Sequence, residues 1–207
     1  CSIGDVTHRI QASELQDKGV LANCHVNVLQ TQDHPQFKTY AEELKWLTTD
    51  KVRMAWVAKT IKDISTSGNT LILVDRISAG EILQEQIEDA VFVSGSTKNV
   101  DRKEQYDEVS TATNKIIIAT YGVASVGINI PRIFNLVLIE PGKSFVRVIQ
   151  SIGRGIRKAE DKENVQIWDI TSSCKFAKRH LGARKKFYKE ANYPYNIEKI
   201  NYENPYT

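Results

Sequence analysis

Short apolar runs alternate with amphipathic segments along most of this chain. Apolar residues recur at helical spacing over 37–47 and 52–64, so two helices are predicted there. The run Thr70–Val74 is almost continuously apolar, which is typical of a strand buried on both faces. The pattern predicts further strands at 91–93, 115–119, 135–139 and 165–170, and helices at 77–87, 100–109, 144–153 and 173–191. Strands that alternate with helices in this way predict an α/β fold, a parallel sheet with helices on both faces.

Residues 1–50 follow a different pattern. Their main feature is one β-like alternation at 24–30, followed by the turn signal Asp33-His34-Pro35. We therefore predict three parts of the chain. These are a lead-in or linker segment with the first strand over 1–50, an α/β core over 51–172, and a basic C-terminal helix with a tail over 173–207.

The composition favours an ordinary folded domain. The 207 residues are 41% hydrophobic and 26% charged, which excludes a disordered or fibrous chain. The net charge of +3 is too small to indicate nucleic-acid binding by itself. Three cysteines without a CxxC pair indicate neither a disulfide framework nor a metal site, so a reducing compartment is expected. No apolar run approaches the roughly 20 residues that cross a bilayer, so no membrane contact is expected.

Candidate phosphate ligands follow several of the predicted strands. Ligands of parallel sheets bind beyond the carboxyl ends of the strands. The residues found there include a cation, hydroxyls and glycines that could contact a nucleic-acid backbone: Arg76, Ser94, Gly95, Thr120 and Gly122. A single Ser or Thr after a strand is more often a helix cap, so only their occurrence after three strands favours phosphate binding.

A second candidate site lies near the end of the helix predicted at 144–153. Arg154 and Arg157 are three residues apart, close to Gly153 and Gly155, and follow Gln150. Guanidinium groups suit phosphate oxygens, because they are planar and permanently charged. A solvated or carboxylate-paired arginine pair at a helix end is the alternative.

These residues resemble the motifs of superfamily 2 helicases. Gln150-x-x-Gly153-Arg154-x-x-Arg157 resembles motif VI, and the segment 119–131 resembles motif V. Residues 71–76 are similar to motif IV, and 93–96 with Arg102 to the neighbouring motif whose glycine and arginine lie near the nucleic-acid backbone. Residues 14–21 look like the segment that joins the two motor domains in phage UvsW-type and XPB-like DNA helicases. The resemblance implies the second RecA-like domain of such a motor.

The resemblance also implies roles for single residues. Arg154 and Arg157 would stabilise the phosphoryl group during ATP hydrolysis, with Arg157 the better candidate for an arginine finger. Gln150 would sense the γ-phosphate, and Gly127 would allow close approach of the nucleotide. Asn129 and Gly153 complete the nucleotide contacts; many family members have aspartate where Asn129 stands.

The chain departs from the family in what it lacks. Neither the phosphate loop GxxxxGK[ST] nor a DExx-type acidic motif occurs in the sequence. The chain begins at Cys1, and Met54 is its only methionine. We therefore expect the C-terminal half of a two-domain motor, inactive alone, whose N-terminal RecA-like domain holds most of the ATP and Mg²⁺.

The expected function is ATP-dependent DNA unwinding or branch migration on single-stranded or branched DNA. Repair or recombination in the cytoplasm of a bacterial or phage-infected cell would suit that function. An RNA helicase, a restriction-type translocase or a catalytically silent module that binds nucleic acid or protein remain alternatives.

Two further groups of charged residues occur in the sequence. The predicted C-terminal helix carries seven cations, which could contact duplex or branched DNA or form a solvated basic face: Lys175, Lys178, Arg179, Arg184, Lys185, Lys186 and Lys189. Glu42 and Glu43 are interpreted as solvated surface charges.

Overall fold

Strands and helices alternate through the residues that the computed structural model describes, 24–93, 115–125, 134–142 and 165–202. The strands there are β1 (Cys24–Thr31), β2 (Thr70–Val74), β3 (Ala90–Val93), β4 (Ile116–Thr120), β5 (Asn135–Ile139), β6 (Val165–Ser172) and β7 (Tyr195–Ile200). The helices are α1 (Tyr40–Thr49), α2 (Lys51–Ser65), α3 (Ile77–Gln86), α4 (Tyr121–Ser125) and α5 (Lys175–Glu190). The helices predicted at 100–109 and 144–153 lie outside these ranges.

The strands of the described residues form one sheet in the order β3-β4-β2-β5-β6-β1-β7. All the strand pairs in it are parallel. Parallel neighbours require crossover connections. Among the described residues, α1 and α2 lie between β1 and β2, α3 lies between β2 and β3, and α5 lies between β6 and β7. The predicted α/β fold with a parallel sheet is confirmed.

Two apolar layers cover the two faces of the sheet. In β2, Leu71 and Leu73 face one layer, and Ile72 and Val74 face the other. Helix α5 packs against the first layer through residues such as Leu181, whereas α2 and α3 pack against the second. Because β2 is covered on both sides, its five residues are all buried, as its apolar sequence indicates.

Side-chain caps determine where α1 and α2 begin. Thr39 Oγ1 accepts a hydrogen bond from the Glu42 N–H at 3.3 Å, so α1 begins at Tyr40 rather than at 37 as predicted. Asp50 donates its own N–H to the Trp46 carbonyl and accepts the Arg53 N–H on its carboxylate at 3.0 Å. One residue therefore ends α1 and begins α2, which fixes the sharp turn between the helices.

The sheet includes strands outside the segment 51–172. Strand β1 lies between β6 and β7, pairing with each in parallel register. Strand β7 was not predicted, because its residues at the sheet edge are half-buried or exposed and form no apolar run. The division of the chain at residues 50 and 172 stays a prediction. Within the described residues, no helix is both long and apolar enough to cross a membrane.

Candidate functional site at the carboxyl edge of the sheet

The ends of β2 and β4 bring three predicted phosphate ligands together: Arg76, Thr120 and Gly122. The two strands are neighbours, and Val74 pairs with Thr120 in parallel register. Arg76 comes two residues after Val74 and Gly122 two residues after Thr120, so all three lie at the same edge of the sheet. Their proximity follows from the parallel register, as the strand pattern predicts.

Arg76 presents its guanidinium to solvent at this edge. Its side chain is 44% exposed, and its Nε lies 3.6 Å from the carboxylate of Asp75, which is 41% exposed. An ion pair between two exposed groups contributes little free energy, because water competes for both. The guanidinium can therefore exchange this partner for a phosphate at small cost.

Thr120 and Gly122 form the turn from β4 into the short helix α4. Thr120 Oγ1 accepts a hydrogen bond from the Val123 N–H at 3.3 Å, which is the helix-cap role that a threonine after a strand often has. The hydroxyl retains its own hydrogen for donation. Gly122 is exposed, and a Cβ built on it would meet only Thr120 Oγ1, at 3.9 Å. Packing within the described residues therefore does not require glycine there.

Tyr121 holds this turn against the next part of the sheet. Its hydroxyl donates to the Ile139 carbonyl at 2.9 Å, across to the end of β5. Burial raises the pKa of Tyr121 well above its ordinary value, and the charge of Asp169 adds to this effect. The phenol therefore stays neutral and remains a hydrogen-bond donor.

A buried ion pair lies beneath the edge. Arg53, on α2, is fully buried and donates from Nη2 to Glu140 Oε1 at 2.7 Å. Its other donors reach the Leu47 carbonyl at 2.6 Å and Thr31 Oγ1 at 3.2 Å. One guanidinium thus connects α1, α2, β1 and the residue that follows β5.

Burial also shifts the protonation equilibrium of Glu140. Burial raises the pKa of its carboxyl from 4.5 to about 7, and the nearby charge of Arg53 only partly opposes this. Thr171 Oγ1 donates to its second oxygen, Oε2, at 3.3 Å. Glu140 has φ of 45°, an uncommon value for a residue with a side chain. The contacts to Arg53 and Thr171 hold the backbone of Glu140 at this turn.

A second buried ion pair contacts Gly142, two residues after Glu140. Arg184 of α5 donates to Asp169 of β6 through two bonds, Nε to Oδ2 at 2.8 Å and Nη2 to Oδ1 at 2.9 Å. Tyr188 donates its hydroxyl to Oδ2 at 2.6 Å. Arg184 Nη1 reaches the Gly142 carbonyl at 3.4 Å. Burial lowers the pKa of Arg184, but Asp169 more than offsets this and raises it overall, so the guanidinium stays charged.

Gly142 is confined by its backbone and by Tyr40. Its φ is 60°, in the left-handed region that favours glycine, and a Cβ there would lie 2.9 Å from the Tyr40 hydroxyl oxygen. Tyr40 packs edge-on against His180 at 4.7 Å between ring centroids. Burial and the charges of Glu140 and Asp75 raise the pKa of Tyr40 to about 12. The loop Glu140–Gly142 therefore meets side chains of α1, α2 and α5, directly before residues 143–164.

Glu43 is not the surface charge that the sequence suggested. It is 1% exposed, and its two carboxylate oxygens accept the N–H groups of Phe176 and Ala177 at 3.0 and 2.8 Å. A carboxylate at a helix N-terminus satisfies N–H groups that have no partner within the helix. Glu43 thus caps α5, and the interpretation as a solvated charge is wrong.

Asp33 joins β1 to β6 and to the segment after β7. Its carboxylate accepts hydrogen bonds from Thr31 Oγ1 at 2.6 Å and from Ser172 Oγ and the Tyr202 hydroxyl, each at 2.5 Å. Burial and the bond to Asp33 raise the pKa of Tyr202. Asp33 therefore fixes the end of the sheet next to Arg53.

Most of the predicted nucleotide and nucleic-acid ligands lie outside the described residues: Ser94, Gly95, Arg102, Gly127, Asn129, Gln150, Gly153, Arg154 and Arg157. Their roles stay predictions. Every residue expected to contact ATP is among them.

The fold defines the class of this protein. A parallel sheet with helices on both faces matches the RecA-like C-terminal domains of helicases. The family model of the helicase conserved C-terminal domain matches residues 52–159, just over half of the chain. The chain belongs to this helicase family, and the resemblance to the UvsW type is confirmed.

Two viral relatives are similar in sequence. The ATP-dependent DNA helicase uvsW of Enterobacteria phage T4 is 27% identical over 195 residues, covering 89% of this chain and 39% of the phage protein. Putative helicase 22 of Sulfolobus islandicus filamentous virus is 33% identical over 104 residues, covering 48% of this chain and 18% of that protein. The chain thus spans less than half the length of either relative.

Solved structures share the fold. The crystal structure of T4 UvsW superimposes with a TM-score of 0.74 at 24% identity, covering 86% of this chain and 42% of that one. The C-terminal domain of the DEAD-box protein Dbp5 gives 0.56 at 17% identity, covering 88% of this chain and 92% of that one.

Proposed function

We propose that this chain is the C-terminal motor domain of an ATP-dependent DNA helicase or translocase that unwinds or branch-migrates DNA. The observation that carries the proposal is the edge where Arg76, Thr120 and Gly122 meet at the ends of two paired strands. A cation, a hydroxyl and a small residue in that arrangement suit a phosphate backbone. The similarity to the phage ATP-dependent DNA helicase favours DNA.

The single strand would lie along this carboxyl edge. Arg76 would contact one phosphate, and Thr120 and Gly122 would contact the next, continued by Ser94, Gly95 and Arg102 on the β3 side. Contacts to phosphate and sugar carry no sequence information. The domain would therefore move along DNA of any sequence.

The side chains that contact the phosphates of ATP would come from the segment after the loop Glu140–Gly142. Bound ATP with Mg²⁺, held mainly by an N-terminal RecA-like domain, supplies the phosphoanhydride whose cleavage releases free energy. Arg154 and Arg157 would donate to its phosphoryl oxygens, Gln150 would sense the γ-phosphate, and Gly127, Asn129 and Gly153 would border the nucleotide. Repeated closing and opening of the two domains would then advance the strand.

The arginine assignment is tested in the complete motor. Arg157→Ala should lower nucleic-acid-stimulated ATP hydrolysis by at least about tenfold, because an arginine finger contributes about 10³ to 10⁵ in rate. ATP binding should survive, since the phosphates would be held mainly by the other domain. Lys59→Ala, on the exposed side of α2, is the control and should leave turnover unchanged. Normal turnover of the Arg157 variant would refute the assignment.

Substrate choice is tested with matched DNA and RNA duplexes. Strand displacement should require ATP and should be faster on DNA than on RNA. Faster displacement of RNA would favour an RNA helicase instead. Binding without displacement of either duplex, in the complete protein, would identify a module that only binds nucleic acid. Activity on branched DNA would support a role in DNA repair or recombination.

A further inference from the structure

The outward side of α5 carries a row of positive charge that the proposed motor does not use. Five exposed cations lie on it: Lys175, Lys178, Arg179, Lys186 and Lys189. At 3.6 residues per turn they fall within a stripe about 100° wide and roughly 21 Å long. Glu190, at its end, is the one acidic residue of the helix.

The opposite side of the same helix anchors it to the sheet. Leu181, Phe187 and Tyr188 are buried in the apolar layer, and Arg184 pairs with Asp169. Of the cations predicted to form a basic patch, Arg184 thus belongs to the core, and Lys185 is half-buried. The row of exposed cations is held on a rigid support.

Within the part of the chain that the structure describes, these cations have no acidic partner. Across the described ranges, no carboxylate lies within ion-pair distance of any of the five. Lys175 and Arg179 instead lie over the ring of Phe176, each 5.6 Å from its centroid. A row of like charges on one helix face repels itself, and an external polyanion would relieve that repulsion.

Gly182 lies in the middle of the row. A Cβ added there would meet nothing within 4 Å, so packing inside the described structure does not demand glycine. Glycine weakens a helix interior, but it lets a ligand backbone approach closely.

We propose that this face of α5, the basic row, binds the phosphate backbone of duplex DNA. The aromatic rings of this helix are not exposed for base stacking, because Phe176 is half-buried and Phe187 and Tyr188 are buried. A straight line of cations without stacking rings suits a regular double helix. The proposal rests on the proposed function in taking DNA as the polyanion.

The position of α5 places the duplex next to the single-strand edge. The helix begins just after β6 ends, at the carboxyl edge that also holds Arg76 and Thr120. It then runs back toward β7, whose strand is parallel to β1. The duplex contact would start near Lys175, beside the single-strand edge, and continue away from it to Lys189.

The test compares two triple variants of the complete protein that contains this chain. Lys178→Gln with Arg179→Gln and Lys186→Gln removes three charges from the basic row. The matched control removes three exposed lysines of α2, on the other side of the sheet: Lys51→Gln, Lys59→Gln and Lys62→Gln. Fluorescence anisotropy without nucleotide measures binding to a blunt duplex of about 20 base pairs and to a single strand of equal length, between about 50 and 200 mM salt.

We expect the α5 variant to bind duplex at least about tenfold more weakly, with the slope of log affinity against log salt reduced in magnitude by about 2.7, since each lost phosphate contact removes about 0.9. The control should change neither quantity. Gly182→Glu, which adds a negative charge without removing a cation, should also weaken duplex binding.

Unchanged duplex affinity and slope in the α5 variant, with wild-type circular dichroism, would overturn the proposal. Equal losses on duplex and single strand would overturn the choice of duplex. Because these measurements omit ATP, their failure is separable from failure of the arginine test in the ATPase assay.

Discussion

Replacing Asp169 by asparagine measures what it costs the fold to leave Arg184 buried without its counter-charge. The carboxylate is fully buried, and Arg184 is 3% exposed. Both oxygens accept guanidinium bonds, at 2.8 and 2.9 Å, and one also accepts the Tyr188 hydroxyl at 2.6 Å. An asparagine offers one acceptor oxygen, so its amide N–H₂ would face donors, and Arg184 would stay buried without a counter-charge.

The expected loss is about 3 to 5 kcal/mol in the free energy of unfolding, because breaking a buried ion pair leaves an uncompensated charge. Urea unfolding of the 207-residue chain measures it. With a slope near 3 kcal/mol per molar, the midpoint should fall by roughly 1 M or more. Tyr188→Phe, which removes a single bond to the carboxylate, should cost less, about 1.5 to 3 kcal/mol.

Asp75→Asn is the matched control. It removes the same charge from the pair with Arg76, whose groups are 41% and 44% exposed at 3.6 Å, so its effect should be about 0 to 1 kcal/mol. If the Asp169 variant were no less stable than this control, Arg184 would not depend on the Asp169 carboxylate as its buried counter-charge.

The remaining predictions concern the loop Glu140–Gly142. Because burial raises the pKa of Glu140 from 4.5 to about 7, the folded chain holds a proton there that the unfolded chain has released, so this group lowers stability as pH rises through that window. Glu140→Gln removes this effect. The free energy of unfolding of the variant minus that of wild type, measured by urea titration, should rise by about 3 kcal/mol between pH 4.5 and pH 8. If this difference stayed constant with pH, the assignment of the raised pKa would be wrong. Gly142→Ala should cost about 1 to 2 kcal/mol from its positive φ alone, measured by the urea midpoint. Adding Tyr40→Phe to the Gly142→Ala variant should restore only the stability lost to the contact with the Tyr40 hydroxyl. Full restoration of stability would exclude backbone strain as a cause.

Strands were predicted well from the sequence where the sheet buries them on both faces. β2 and β5 have the predicted ends, because every residue of each is buried and each forms an apolar run. β7 was missed, because its exposed edge position imposes no apolar pattern. Helix starts shifted where a side chain caps the helix, as Thr39 does for α1.

Only part of the candidate site was predicted from the sequence. Arg76 and Thr120 were predicted to lie together, because each ends or follows a strand and parallel register then brings them to one edge. The pair Arg53–Glu140 was not predicted, since 87 residues separate its members and charged residues usually face solvent. The signals that could have indicated it are weak: an arginine directly before the buried Met54, and a glutamate at the end of an apolar strand.

The buried charges beneath the edge have a structural consequence that connects the two proposals. Buried ion pairs add little net stability compared with apolar packing, but their directional bonds favour one arrangement of the elements they join. Arg53 fixes Glu140, and Arg184 contacts Gly142 while its partner Asp169 also holds Tyr188. Residues 143–164, which carry the proposed arginine finger, thus begin at a loop whose supports include α5. The same helix presents the basic row on its other side, so the loop Glu140–Gly142 and the proposed duplex contact share α5 as a support.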